Sequence, residues 1–121
     1  MVTDSVANQM VLSDPKSTRR VWKFTVTVDD SVTTHSIPSG ARIVHVSIGS
    51  SPNRVAFWAE VDTLVNPVHR TFKVFGTGHP IPQGWVYVGT IPVPGYPLVW
   101  HLYEFKYQEH GPMTVEEYQR Q

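Results

Sequence analysis

The sequence predicts an all-β fold, a small antiparallel sandwich or barrel of about six to seven strands. Three observations predict it. From Val21 onward, apolar residues recur at every second position in short runs, the period of a half-buried strand. Turn residues such as Asp29-Asp30-Ser31, Pro38-Ser39-Gly40 and Pro92 to Pro97 punctuate those runs. No helical periodicity occurs between them.

The elements follow in order. VWKFTVTV places Trp22, Phe24, Val26 and Val28 on one face and Lys23, Thr25 and Thr27 on the other. Val32 to Ile37 is a short return strand, and ARIVHVSI aligns Val44, Val46 and Ile48, with Arg42 in line at the edge. GSSPN reads as a hairpin turn into RVAFWAEV, where Val55, Phe57, Ala59 and Val61 oppose Arg54, Trp58 and Glu60. After a loop from Asp62 to Pro67 come HRTFKVF, WVYVGTI and LVWHLYEF. On the last run Leu98, Trp100 and Leu102 share one face and His101, Tyr103, Phe105 and Tyr107 the other, so both faces are apolar or aromatic, as in a central strand. The chain thus divides into a polar arm over 1–20, an all-β domain over 21–107 and a tail over 108–121. In that tail Thr114-Val-Glu-Glu117 has the spacing of a capping box for a short helix.

Composition excludes several function classes. At 121 residues the chain has room for one domain, and 40% hydrophobic content is that of a globular protein. Ten basic and ten acidic side chains cancel, against the basic surplus of a duplex-binding protein, so nucleic acid is not an expected partner. The same neutrality does little to keep copies apart and favours a homo-oligomer. The absence of cysteine removes disulfides, thiolate metal sites and cysteine nucleophiles, and fits a reducing compartment. No apolar run reaches membrane-spanning length and MVTDSVANQ is not a signal peptide, so the expectation is an intracellular protein with no membrane contact.

Val74-Phe-Gly-Thr-Gly-His-Pro-Ile-Pro82 is the most distinctive stretch. Gly76-x-Gly78 supplies two glycines of a dinucleotide fingerprint, but Ile81 stands where the third belongs, and Pro80 and Pro82 forbid the helix that would face a phosphate. The stretch reads as a shaped turn, with Thr77 and His79 left as side chains able to meet an anion. The histidines lack HxH or HxxxH pairing, and His101 and Glu104 point to opposite faces of a strand, so no metal or cofactor is expected. A site assembled from distant strands, such as His45, His79 and His101, is the kind of metal arrangement left open. No GxSxG elbow is present, and catalysis is not expected. Glu60 and Asp62 read as solvated charges at a strand end; Glu104, between Tyr103 and Phe105, reads as paired with a base on a neighbouring strand. Lys16, Arg19, Arg20 and Lys23 form a basic edge, but the intervening Trp22 and Phe24 belong to the core face.

The order of motifs, WKF, then IPSGARIVHV, FWAEVD, RTFKVFGTGHPIP, YVGTI and LVWHLYEF, resembles a family of small proteins of tailed phages and prophages, often met as hypothetical proteins. The resemblance spans Val21 to Phe105. By resemblance the matching positions are Pro38, Gly40, Trp58, Gly76, Thr77, Gly78, His79, Pro80, Gly89, Thr90, Trp100, His101 and Glu104. It implies an origin and no particular activity. Taken with the residues, it gives the expectation of a non-catalytic accessory protein of the host cytoplasm. Such a protein binds a host protein or sequesters a small anionic ligand, and would act against host defence. The alternative is a virion component, a decoration or tail-associated protein. The expected ligand contacts are Thr77, His79, Trp100, His101 and Glu104; the expected partner surface is Trp58, Trp85, Tyr87, Tyr96 and Tyr103.

Overall fold

The structure, a computed structural model, describes residues 14–106. The expected C-terminal helix and most of the N-terminal arm lie outside the described residues. Seven strands form, and no helix occurs among the described residues: β1 (Arg19–Thr27), β2 (Thr33–Pro38), β3 (Arg42–Ile48), β4 (Arg54–Asp62), β5 (Pro67–Gly76), β6 (Trp85–Pro92) and β7 (Val99–Phe105). They make two antiparallel sheets, β1-β4-β3 and β2-β5-β7-β6. The all-β expectation holds. Arg19 and Arg20, placed in the arm by sequence, belong to β1, where they pair with Asp62 and Val61.

The core lies between the sheets because alternation delivers one apolar face from each strand. Val55, Phe57, Ala59 and Val61 of β4 face Phe72 and Val74 of β5, Leu102 of β7, Ile91 of β6 and Ile37 of β2, all buried. At the centre the rings of Phe57 and Phe72 meet across the two sheets with centroids 4.5 Å apart. His35 sits among Phe24, Phe57 and Phe72 and spends its Nε2 on the Thr25 carbonyl at 2.7 Å, a link between the sheets.

Alternation fails in two places. Between Ile43 and His45 the β3 register slips by one residue, so Ile43, Val46 and Ile48 face the core and Val44 is exposed. The sequence reading of Val44 as a core-facing residue is corrected by that bulge. A second slip between Tyr87 and Gly89 bends β6. It lets Tyr87 and Thr90, three positions apart, stand on the same outer face.

Candidate functional site

The outer face of the four-stranded sheet gathers residues that the sequence scatters over three elements. β7 is internal, so His101 and Tyr103 lie mid-sheet, opposite Phe75 and Lys73 of β5 on one side and Thr90 and Tyr87 of β6 on the other. Thr77 follows β5 in the turn Gly76-Thr-Gly-His79, closed by the His79 amide donating to the Gly76 carbonyl at 3.1 Å. Gly78 takes φ +86° there, a conformation that only glycine adopts without strain. The stretch is therefore a turn, as its prolines predict. Its His79 amide is committed to that turn, and the His79 ring folds back over Gly76.

That turn aims the Thr77 hydroxyl at the sheet. Thr77 Oγ1 lies 2.8 Å from His101 Nε2, Thr90 Oγ1 lies 3.0 Å from His101 Nδ1, and the Tyr87 hydroxyl lies 2.7 Å from Thr90 Oγ1. A neutral imidazole carries one N–H, so one threonine accepts from the ring while the other donates to it. The result is a continuous polar chain, Thr77–His101–Thr90–Tyr87, on an exposed face. Thr77 and His101 stand at the distance of a nucleophile and its base, but the third member is a hydroxyl bonded to Tyr87 and not a carboxylate. The arrangement suits anchoring a polar group.

An aromatic bed adjoins the chain. Tyr103 packs edge-on against Tyr87 at 5.6 Å and against Phe75 at 5.3 Å, and Phe75 and Phe105 flank Trp85 at 5.8 and 5.2 Å. Trp85 shares this outer face but is only 8% exposed between Phe75 and Phe105, whereas Tyr87 is 55% exposed and presents its ring to solvent.

The remaining expected contacts lie elsewhere. Trp100 is on the inner side of β7 and donates Nε1–H to the Pro52 carbonyl at 2.8 Å. Trp58 lies on the outer face of the other sheet, beneath the Lys23 ammonium at 5.5 Å and beside His45 at 5.5 Å. Tyr96 stands exposed at the tip of the β6–β7 hairpin. His45 and His101 thus occupy opposite outer faces, and among the described residues no three His, Cys, Asp or Glu side chains converge as a metal site would require. Glu104 is buried on the inner face of β7 and grips Arg70 of β5 through two hydrogen bonds, the pairing expected from its apolar flanks.

Residues 17–112 match the family described as a domain of unknown function (DUF7352). The chain belongs to that family. No curated protein and no solved structure matches it. Within this DUF7352 domain, sequence reading missed Thr90 as a bridging residue and Arg70 as the partner of Glu104. The signal for Arg70 was present in HRTFKVF, where Arg70 shares a strand face with Phe72 and Val74 and so had to carry its charge inward.

At the far sheet, Arg19 donates to Glu60 at 2.6 Å and holds that carboxyl below its ordinary pKa, with Arg42 adding a weaker attraction from 3.9 Å. The Thr18 hydroxyl and the Leu64 amide likewise lower Asp62. Both read as solvated charges in the sequence; in the structure Glu60 is ion-paired and Asp62 is held by a hydroxyl and an amide.

Proposed function

We propose that this domain is a non-catalytic binding protein that engages a protein partner through the outer face of its four-stranded sheet. One observation carries the reading. Two of the expected ligand contacts, Thr77 and His101, and two of the expected partner residues, Tyr87 and Tyr103, meet on a single face joined by hydrogen bonds and ring contacts. A rigid sheet bearing two tyrosines around a satisfied polar centre has the composition of a binding hot spot, with aromatic anchors at low entropic cost and hydroxyls to set orientation. Affinity would come from those anchors, and the effect on the partner would be occlusion. The resemblance to tailed-phage and prophage proteins supplies the setting, a host protein in the host cytoplasm, with counter-defence as the consequence.

The test is affinity purification of the tagged chain from infected host cells beside Tyr87→Ala, Tyr103→Ala and, on the opposite face, Lys23→Ala. A stoichiometric host protein captured by the parent and Lys23→Ala chains but lost with the tyrosine variants is the expected result. A virion protein captured in the same pattern would replace the host-directed role with a structural one. Capture insensitive to both tyrosines would remove this face from the interaction.

A further inference from the structure

Among the described residues, β1 is the long strand edge that the fold leaves open. The edge strands are β1 and β3 in one sheet and β2 and β6 in the other. An exposed edge invites a further strand, and proteins blunt edges by shortening, bulging or covering them. β2 has only six residues and ends on Pro38. β3 and β6 are each interrupted by a bulge and approach one another, the Val46 side chain meeting the Gly89 backbone. β1 instead runs nine residues in unbroken register with β4. Its first five residues, Arg19–Lys23, are all exposed.

Three hydrogen bonds fix which way its backbone points. The Thr18 carbonyl and the Val28 amide turn to the β4 side, where they meet Thr63 and Asn53, whereas the Thr25 carbonyl turns outward to His35. Odd-numbered residues of β1 therefore present their amides and carbonyls away from β4. Arg19 satisfies its own with the Ser17 hydroxyl and the Arg20 guanidinium. Those of Val21 and Lys23 have no partner among the described residues.

The side chains select what pairs there. β1 carries three basic residues and no acidic one. Arg19 is spent on Glu60, and Asp62, the other carboxylate of this sheet, is held by the Thr18 hydroxyl and the Leu64 amide. Arg20 and Lys23 form no ion pair among the described residues. Arg20 donates to the Ser17 and Arg19 carbonyls, and the Lys23 ammonium lies over the Trp58 ring at 5.5 Å. Between them Val21 is 57% and Trp22 40% exposed. A second copy of β1 does not fit this edge. Antiparallel pairing centred on Val21 would set Lys23 against Arg19 of the other copy, and pairing centred on Lys23 would set the two lysines face to face, both destabilising.

We propose that the Val21–Lys23 edge of β1 accepts an extended acidic segment of a protein partner as a fourth strand of the three-stranded sheet. Backbone hydrogen bonds to Val21 and Lys23 supply the hold, and side chains supply the choice. Opposite Arg20, Val21, Trp22 and Lys23 the segment carries a carboxylate, two apolar residues and a second carboxylate, a pattern that reads alike in either strand direction. The edge belongs to the other sheet from Tyr87 and Tyr103 and shares no residue with their face.

The test adds the peptide acetyl-Thr-Glu-Val-Val-Glu-Thr-amide to the full chain and follows amide shifts and hydrogen exchange. In the free chain the Val21 and Lys23 amides should exchange quickly; the peptide should slow them and shift them saturably. Replacing both peptide glutamates by lysine, or Arg20→Glu with Lys23→Glu in the chain, should each weaken binding by about tenfold or more. Val21→Pro removes one outward donor, leaves the β4 ladder in place and should abolish the shifts. Tyr103→Ala should leave the titration unaltered. Amides already protected in the free chain would overturn the proposal, assigning the edge to a second copy if protection rises with concentration and to the chain's own ends if it does not. Absence of saturation, or saturation insensitive to the charge reversals, would overturn it as well.

Discussion

Arg70 on β5 grips Glu104 on β7 through both carboxylate oxygens, Nε to Oε2 at 2.6 Å and Nη2 to Oε1 at 2.7 Å. Phe72 is the residue directly opposite Glu104, so Arg70 reaches it diagonally from two positions along the same inner face. Its Nη1 bond to Ala41 then extends the pair to the other sheet, which makes one guanidinium a cross-brace at the open end of the sandwich.

Removing Glu104 strands the part-buried Arg70 guanidinium, and removing Arg70 leaves the buried Glu104 carboxylate to the half-exposed Lys106 ammonium at 3.2 Å. Glu104→Leu and Arg70→Met are each expected to destabilise the fold by about 3–5 kcal/mol, the usual cost of an uncompensated buried charge. Glu104→Leu combined with Arg70→Met should cost less than the two single changes added together, because neither charge is then left alone. Urea unfolding of the two single variants and the double variant measures this. Additive losses would mean that the two groups contribute separately.

Acid should weaken the fold through the exposed carboxylates of the three-stranded sheet and its turns. Arg19 lowers the pKa of Glu60, the Thr18 hydroxyl and Leu64 amide lower that of Asp62, and the Ser31 hydroxyl and amide lower that of Asp29. A carboxyl depressed in the folded state contributes stability above its unfolded pKa, about 4, and loses it as the pH falls through the lower folded value. Melting temperature should therefore be flat above about pH 5 and decline below about pH 4. Asp62→Asn should flatten part of the decline; an unchanged acid limb in that variant would assign the loss to other groups.

How far the sequence revealed this depended on whether a residue's role was local. β4 was legible because Val55, Phe57, Ala59 and Val61 alternate without interruption, and one face of a strand buried against a second sheet demands nothing more. Glu104 was legible because a carboxylate between aromatics needs a base. Val44 misled because it is apolar and in phase, and a bulge depends on pairing with β4, which one strand does not encode. The Thr77–His101–Thr90 chain was hidden for the same reason. Thr77 is in a turn, and β7 enters the sheet between β5 and β6 only after both have formed in sequence, so adjacency rests on strand order. Trp58 and Tyr103 carry equal aromatic signals yet face opposite sides of the sandwich, since alternation fixes a face only relative to the same strand.

Trp100 should act as a tie between sheets more than as a ligand contact. Its indole N–H donates to the Pro52 carbonyl in the β3–β4 turn, while its ring packs on the core. Trp100→Phe keeps most of the ring and loses the hydrogen bond, an expected cost of about 0.5–1.5 kcal/mol; Trp100→Ala should cost about 3–5 kcal/mol. Faster amide exchange at Gly49 and Arg54 in the phenylalanine variant would show the turn loosening. Protection equal to the parent would show that the turn holds itself through its own bonds, the Gly49 amide to the Arg54 carbonyl and the Arg54 amide to the Ser51 carbonyl.

Gly89 sets how closely the two sheets approach at the open seam. A Cβ on Gly89 would lie 2.5 Å from Val46 Cγ2, closer than atoms pack, because the bulge in β6 brings its backbone down onto the β3 side chain. Gly89→Ala is therefore expected to cost about 1–3 kcal/mol as an overpacked core contact. Val46→Ala alone should also destabilise, by about 1–3 kcal/mol, through lost burial and the space it leaves. Together the two changes place one methyl group on β6 in space that the two lost methyl groups of Val46 have vacated, so the double variant should be more stable than the sum of the single losses predicts. A thermal unfolding cycle over the four proteins reads that coupling directly, and strict additivity would show that β3 and β6 separate freely instead of packing in register.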